Sequence, residues 1–287
     1  MIADLCVTRL ETRRVLNGDA IMTELVVDAG SAANDGQTDT FHIQAVQDRV
    51  QVSLNGEVVS SAPLHQLRAI TLRGSADDDI VIADLNNDAL AGVKLIVEAG
   101  HGTDVLRLIN DAPVNTINHS LDTPGSGQAD IATAQATTSL HYHGLEHLQQ
   151  TLSTNNLTLQ FGSGADTIIL GDAPSSGENQ LIFSHALDEQ SASPSPFTLT
   201  FANPLDVLRL DTDRRDTATA DEADRIQVTG LDSSFDANFI LQGDHHDSLL
   251  FTGHTAIGGG NLQIASGEID IRDAIQTSQA TISITAT

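Results

Sequence analysis

The chain has 287 residues, 40% of them hydrophobic, with 39 acidic residues against 13 basic and a formal net charge of −26. That balance argues against nucleic acid or an anionic membrane surface as a partner, since both would repel it; it suits solubility, salt tolerance or the binding of divalent cations. A single cysteine, Cys6, leaves no disulfide framework and no CxxC centre, and no apolar run reaches the roughly 20 residues of a membrane-spanning helix.

Residues 1–20 stand apart, with Arg9, Arg13 and Arg14 in RLETRRVLNGDA and none of the charged-then-apolar order of a signal peptide. From Ile21 the texture becomes that of strands. TELVVDAG, DTFHIQAV, DRVQVSL and AITLRG carry β-branched residues between turns, and Asn55-Gly56 between QVSL and EVV predicts a hairpin. IVIADL, VKLIVEA and VLRLIN follow, then a more polar and less regular stretch over 111–160. Within it, GLEHLQQTL at Gly144 to Leu152 is the one segment that predicts a short helix. NLTLQF, NQLIFS, FTLTFA, DVLRL, RIQVTG, NFILQG and SLLFTG restore the strand pattern. The composition agrees: eight Phe, one Tyr and no Trp are few for a three-dimensional enzyme core but enough where stacked Val, Ile, Leu and Ala fill a narrow one.

A turn-plus-strand unit recurs five times: GSADDDIVI, GHGTDVLRL, GSGADTIIL, ADEADRIQV and GDHHDSLLF, with Asp78, Asp104, Asp166, Asp224 and Asp247 at the handover from turn to strand. Such recurrence predicts a β-solenoid or related repeat array, whose activity usually lies in a surface. The gaps between these aspartates are 26, 62, 58 and 23 residues. The first and last are near one rung of a wide parallel β-helix and would stack their carboxylates about 4.8 Å apart.

Leu10, Glu11, Arg13 and Leu16 match the LEPR-XLL motif found near the start of very large bacterial surface proteins, with Thr12 and Val15 departing from it. GGGNLQIASGEIDIRDAIQTSQATISITAT resembles the rungs of filamentous-haemagglutinin-type parallel β-helices, and it stops in mid-strand, which points to a longer parent chain. Two of the aspartate turns are also similar to the calcium-binding RTX nonapeptide. Gly100, Gly102, Asp104 and Leu106 match in one, with Ala99 departing; Gly162, Gly164, Asp166 and Ile168 match in the other, with Phe161 departing. The other copies lack the second glycine, having Ala76, Glu222 and His245 there. The resemblance implies an extracellular or cell-surface location and a structural or adhesive role. It implies calcium as the one cofactor, held at Gly100, Gly102, Asp104, Gly162, Gly164 and Asp166. A hard cation wants 6 to 8 oxygens, and no second nonapeptide follows either turn directly. The expectation is therefore weak calcium binding that folding does not need, with turn formation the main role of these aspartates.

Histidines invite a zinc reading at His141, His143 and His147, of which His143 and His147 would share one face if Gly144 onward were helical; no third ligand is assignable. His245 and His246 are expected to be solvated in their turn. There is no GxSxG, Walker loop or catalytic-cysteine context, and DTDRRD at Asp211 to Asp216 reads as a charged loop. The sequence thus predicts an all-β chain, a right-handed parallel β-helix or β-solenoid, with a string of β-sandwich modules as the alternative. Its parts are a leader over 1–20, a repetitive solenoid region over 21–255 and haemagglutinin-like rungs over 256–287. The predicted function is a non-catalytic structural or adhesive segment of a large secreted bacterial surface protein, whose partner is a surface ligand or matrix component. A calcium-stabilised RTX-like binding module and a carbohydrate-active β-helix enzyme using Arg214 or Arg215 are the alternatives.

Overall fold

The computed structural model describes residues 10–12, 23–29, 35–88, 90–185, 196–212, 223–278 and 280–286. Of the leader over 1–20 only Leu10–Thr12 is among them; Arg214, Arg215 and Ala220 to Glu222 lie outside the described residues.

The chain is all-β and alternates between two sheets. β1 (Leu10–Thr12) and β2 (Thr23–Asp28) lie in a first sheet; β3 (Asp39–Val46), β4 (Arg49–Leu54) and β5 (Glu57–Pro63) form a meander in a second. β6 (Leu67–Arg73) returns to the first, β7 (Asp79–Asp84) to the second, β8 (Lys94–Glu98) to the first and β9 (Val105–Ile109) to the second. A meander of β10 (Val114–Thr123), β11 (Ser126–Ala132) and β12 (Thr137–His143) follows in the first sheet, then β13 (His147–Gln150) in the second and β14 (Thr154–Phe161) in the first. β15 (Asp166–Asp172), β16 (Glu178–His185) and β17 (Phe197–Ala202) make a third meander, in the second sheet. Single crossings then resume with β18 (Val207–Asp211), β19 (Arg225–Val228), β20 (Asn238–Gln242) and β21 (Ser248–Phe251). Near the C-terminus a short third sheet of β22 (Thr255–Ile257) and β25 (Ile275–Thr277) is interleaved with β23 (Leu262–Ser266), β24 (Glu268–Ile271) and β26 (Ile282–Ala286).

Among the described residues each main sheet has 12 strands, and neither closes on itself. Strands one crossing apart pair in parallel, as β7 with β9 and β20 with β23, whereas the meanders pair antiparallel inside. The expectation of consecutive parallel stacking therefore holds for the single crossings and fails at the three meanders. At the second and third meanders the chain moves ahead by two strands and folds back to fill the space, so that β12 pairs in parallel with β8, and β17 with β13; at the first, β3 pairs directly with β7 while β4 and β5 extend the sheet to its edge. The polar 111–160 stretch, which read as irregular, holds the second of these meanders.

Period-two alternation sets the inner faces. In β14 the side chains of Leu157, Leu159 and Phe161 are fully buried while Thr158 and Gln160 face out. In-register pairing then stacks like on like: Leu157, Leu208, Phe239 and Leu262 form one interior row. Burying each such side chain contributes about 1.5–3 kcal/mol, and Leu208→Ala would cost about 2–5 kcal/mol. All eight phenylalanines are buried, with Phe161 and Phe183 edge to face at 5.4 Å between the sheets. One polar pair sits in this interior, where His119 Nε2 meets Gln150 Oε1.

The Asn55-Gly56 hairpin forms as predicted, with φ of 52° and 86° joining β4 to β5. The helix predicted over Gly144 to Leu152 does not form. Gly144, at φ 78°, ends β12, and His147–Gln150 is strand β13, whose Leu148 and Gln150 point inward with a period of two. Its helical look came from leucine spacing that a strand and its flanking turns satisfy equally well. Among the described residues there is no α-helix, only 3₁₀ turns at Leu64–Gln66 and Asn86–Asp88, and no helix long and apolar enough to cross a membrane.

Candidate functional site

The repeated aspartates lie where the chain enters the second sheet, in two separate sets. Asp104, Asp166, Asp224 and Asp247 are each about 1% exposed, and so is Asp79. Asp104 Oδ1 accepts the backbone N–H of Asp79 at 2.8 Å, and Glu146 Oε2 accepts that of Asp104 at 2.7 Å. Farther along, Asp224 Oδ1 accepts the N–H of Asp166 at 2.8 Å and Asp247 Oδ1 that of Asp224 at 2.9 Å. Each carboxylate thus satisfies a buried amide of the neighbouring strand that has no ladder partner at the corner. In the first copy the buried aspartate at this position is Asp79, where the sequence pointed to Asp78; its N–H joins the ladder while its carboxylate accepts the Ser75 N–H of its own turn. That turn is one residue longer, and Asp78 instead accepts the Thr103 N–H through Oδ1 at 2.7 Å.

The gap of 58 residues between Asp166 and Asp224 is spanned because β16, β17 and β18 are threaded between them, so the two are direct neighbours. Asp104 and Asp166 are not brought together; the strand beside Asp104 belongs to Glu146. The two turns most like the RTX pattern therefore do not stack on each other.

Nor do their glycines form a cation loop. Gly100 and Gly102 have φ of 111° and 125°, and a Cβ on Gly102 would lie 2.6 Å from the Asp77 carbonyl oxygen. A Cβ on Gly162 would lie 2.7 Å from the carbonyl oxygen of Asp122, and Gly164 has φ 146°. These glycines admit the neighbouring turn's backbone. Asp104 Oδ1 is committed to an amide, and Asp166 Oδ1 to the Nδ1 of His185. The donor set does not fit a shell of 6 to 8 oxygens. Asp104 Oδ2 is buried without a hydrogen-bond partner, as are Asp39 Oδ2 and Asp211 Oδ1. Burial, then the nearby Asp79, Glu146 and Asp78 charges, push the Asp104 pKa up to about 7 against the lowering effect of the Asp79 amide. Burial likewise raises Asp79.

A second set of ladders, unsuspected from the sequence, runs at other corners. Asn238 Oδ1 accepts the Asn261 N–H and Asn261 Oδ1 accepts the Thr281 N–H, each at 3.0 Å; Asn86 Oδ1 accepts the Asp111 N–H at 2.7 Å. The available signal was asparagine immediately before or at the start of a strand, as in ANFILQ and GNLQIA. Asp232 anchors a further corner. Burial raises its pKa, but hydrogen bonds from the Ser234 hydroxyl, the Gly177 and Ser234 amides and Asn203 outweigh that and bring it down to about 2.

Away from the ladders, a recess of about 620 Å³ opens on the outer face of the first sheet, beside the β10–β11 hairpin. Arg73 and Glu98 pair across it at 2.8 Å, and Ser126 Oγ lies 2.6 Å from His143 Nδ1. His141 points to the same face, its pKa lowered by burial and by Lys94. His147 is on the other sheet, so His143 and His147 do not share a face as a helix would have required. Comparison of the chain with known protein families, with characterised proteins and with solved structures gave no match.

Proposed function

We propose that this chain is a non-catalytic structural or adhesive segment of a large extracellular bacterial surface protein, built as a right-handed parallel β-helix in which the three meanders are excursions from single rungs. The carrying observation is the set of carboxylate and amide ladders. They use the repeated residues to hold neighbouring strands in register, which is chemistry directed at stacking rather than at a substrate. Long outer faces, of net negative charge, would then be offered to a surface ligand or matrix component. In a mechanical test the segment should unfold in steps. Where no meander intervenes, strands related by the ladders are 20 to 25 residues apart, so a single-rung step should lengthen the chain by roughly 70–90 Å. Displayed on a non-adherent bacterium, the segment should increase attachment to matrix-coated surfaces over the display scaffold alone. Unfolding in one featureless step together with unchanged attachment would remove the proposal.

Two other readings each have one observation in their favour. For a calcium-stabilised module it is the buried Asp104 Oδ2, an oxygen without a hydrogen-bond partner in a donor set otherwise too small for the ion. Thermal unfolding in millimolar calcium and in chelator should differ little on the preferred reading, whereas a large shift abolished by Asp104→Ala would favour the module. The Ser126–His143 contact beside the Arg73–Glu98 pair favours a carbohydrate-active enzyme, for which turnover of an acidic polysaccharide, lost in Ser126→Ala, is the test.

A further inference from the structure

We propose that Asp244, His245 and His246 form a binding site for a divalent first-row transition ion of the zinc type. The three residues each offer one donor atom, and the three donors lie within 4.8 Å of one another. The two imidazole rings are packed at 3.6 Å between centroids with a tilt of 49°, and Asp244 Oδ2 is 3.8 Å from His246 Nδ1. A tetrahedral zinc ion at about 2.0–2.2 Å from nitrogen and oxygen donors sets neighbouring donors roughly 3.3 Å apart. The present spacing of 3.8 Å between Asp244 Oδ2 and His246 Nδ1 is close to that value.

The turn that carries them is already fixed. Asp247 Oδ2 accepts the Asp244 N–H at 2.9 Å and the Thr212 hydroxyl at 2.7 Å, while Asp247 Oδ1 holds the Asp224 amide. Gly243 N–H is bound to the Ala265 carbonyl at 2.8 Å on the other side. Within the turn, Asp244 Oδ1 accepts the His246 N–H at 2.7 Å, which turns Oδ2 toward the His246 ring. The ligands are thus pre-positioned by the aspartate ladder, and binding costs little further ordering. Two imidazoles with one carboxylate select zinc, nickel, cobalt or copper over calcium and magnesium, which take oxygen ligands. With three protein ligands the ion keeps a position for water or for a donor from a partner. His245 is exposed, so that position is reachable from solvent. The formal charge of −26 adds a favourable field for a cation.

The test uses the whole chain, stripped with chelator and titrated with zinc by calorimetry and with cobalt by visible absorption. A single equivalent of zinc should bind, and cobalt should give the intense bands of a low-symmetry, four-coordinate site. His245→Ala and His246→Ala should each weaken zinc binding roughly tenfold or more, as should Asp244→Asn, whose Oδ1 still serves the turn. His65→Ala, on a different turn, should leave binding unchanged. Far-ultraviolet circular dichroism identifies any variant that has lost its fold. Folded variants of His245 and His246 that bind zinc as tightly as the original, or an original chain that binds none at millimolar zinc, would overturn the proposal.

Discussion

Asp104 and Asp232 are both corner carboxylates, and their surroundings drive them in opposite directions. Asp232 receives several hydrogen bonds and is held near 2 despite its burial, whereas Asp104 receives one, faces three other carboxylates and is raised to about 7. A raised folded pKa means that the folded chain holds the proton more tightly than the unfolded one between about pH 4 and 7. Stability from Asp104 is therefore fully present below its unfolded value near 3.8 and is lost as pH rises toward 7. Asp104→Asn keeps an acceptor for the Asp79 amide and removes the charge. Its melting temperature at pH 8, in chelator, should exceed that of the original by roughly 3–6 °C, equivalent to about 1–2 kcal/mol, and the gain should vanish at pH 4. A variant equally or less stable at pH 8 would contradict the burial of an uncompensated charge.

His119 has the opposite sign of dependence. Complete burial lowers its pKa to about 4, the hydrogen bond with Gln150 opposing this only in part. The unfolded chain takes up a proton near pH 6.5 that the folded chain refuses until about 4, so stability is present above 6.5 and lost progressively between 6.5 and 4. Up to about 3 kcal/mol follows from a displacement of that size. His119 Nδ1 and Gln150 Nε2 are also buried without partners. The double substitution His119→Leu with Gln150→Leu should flatten the acid limb of the melting profile and raise stability at pH 5, read from denaturant unfolding.

At the scale of the element, a strand here is stabilised by its interior row and by the corner that delivers it to the right register. Asp247 joins three segments at its corner, serving the amides of Asp224 and Asp244 and the hydroxyl of Thr212. Asp247→Ala leaves buried donors without acceptors, at about 1–3 kcal/mol for each, whereas Asp247→Asn keeps one acceptor oxygen and should lose less. Hydrogen exchange should show the loss concentrated in β19 and β21, the strands this corner joins. Gly102→Ala should be costly for a different reason. Its φ of 125° and the backbone of Asp77 and Asp78 within 3 Å of a new Cβ leave no room to adapt, so the β7 and β9 turns would have to part. Calcium should not rescue it.

Across the whole molecule, the two 12-stranded sheets set the length of the stack. At about 4.8 Å per strand they extend roughly 53 Å along the stacking direction, and small-angle scattering should report an elongated particle with at least that axial extent. The excess of acid governs the salt response. A formal charge of −26 repels itself through solvent, and raising sodium chloride from about 0.01 to 0.15 M shortens the screening length from roughly 30 to 8 Å. The melting temperature should rise over that range, and should do so similarly in Asp104→Asn because the buried ladder charges are hardly screened. A melting temperature that falls with salt would mean that attractive surface pairs outweigh the general repulsion.

The sequence by itself determined that the chain is β throughout, because alternation in segments such as NLTLQF and the Asn55-Gly56 turn depend on neighbours a few residues away. It also marked the corner aspartates, since a turn-forming residue before each apolar run is a local pattern. What it could not determine was who faces whom. Asp166 and Asp224 became neighbours only through the meander of β15, β16 and β17, and Asp79 displaced Asp78 because a one-residue difference in turn length resets which carboxylate points inward. The helix expected over Gly144 to Leu152 failed for the same reason, since pairing of β13 with β9 and β17 settles a leucine pattern that is locally ambiguous. The packed imidazoles of His245 and His246 likewise depend on a turn clamped by Asp224, Thr212 and Ala265, all distant in sequence. Hydrogen-bond partners at a corner are chosen across strands, and that choice is made by the tertiary structure alone.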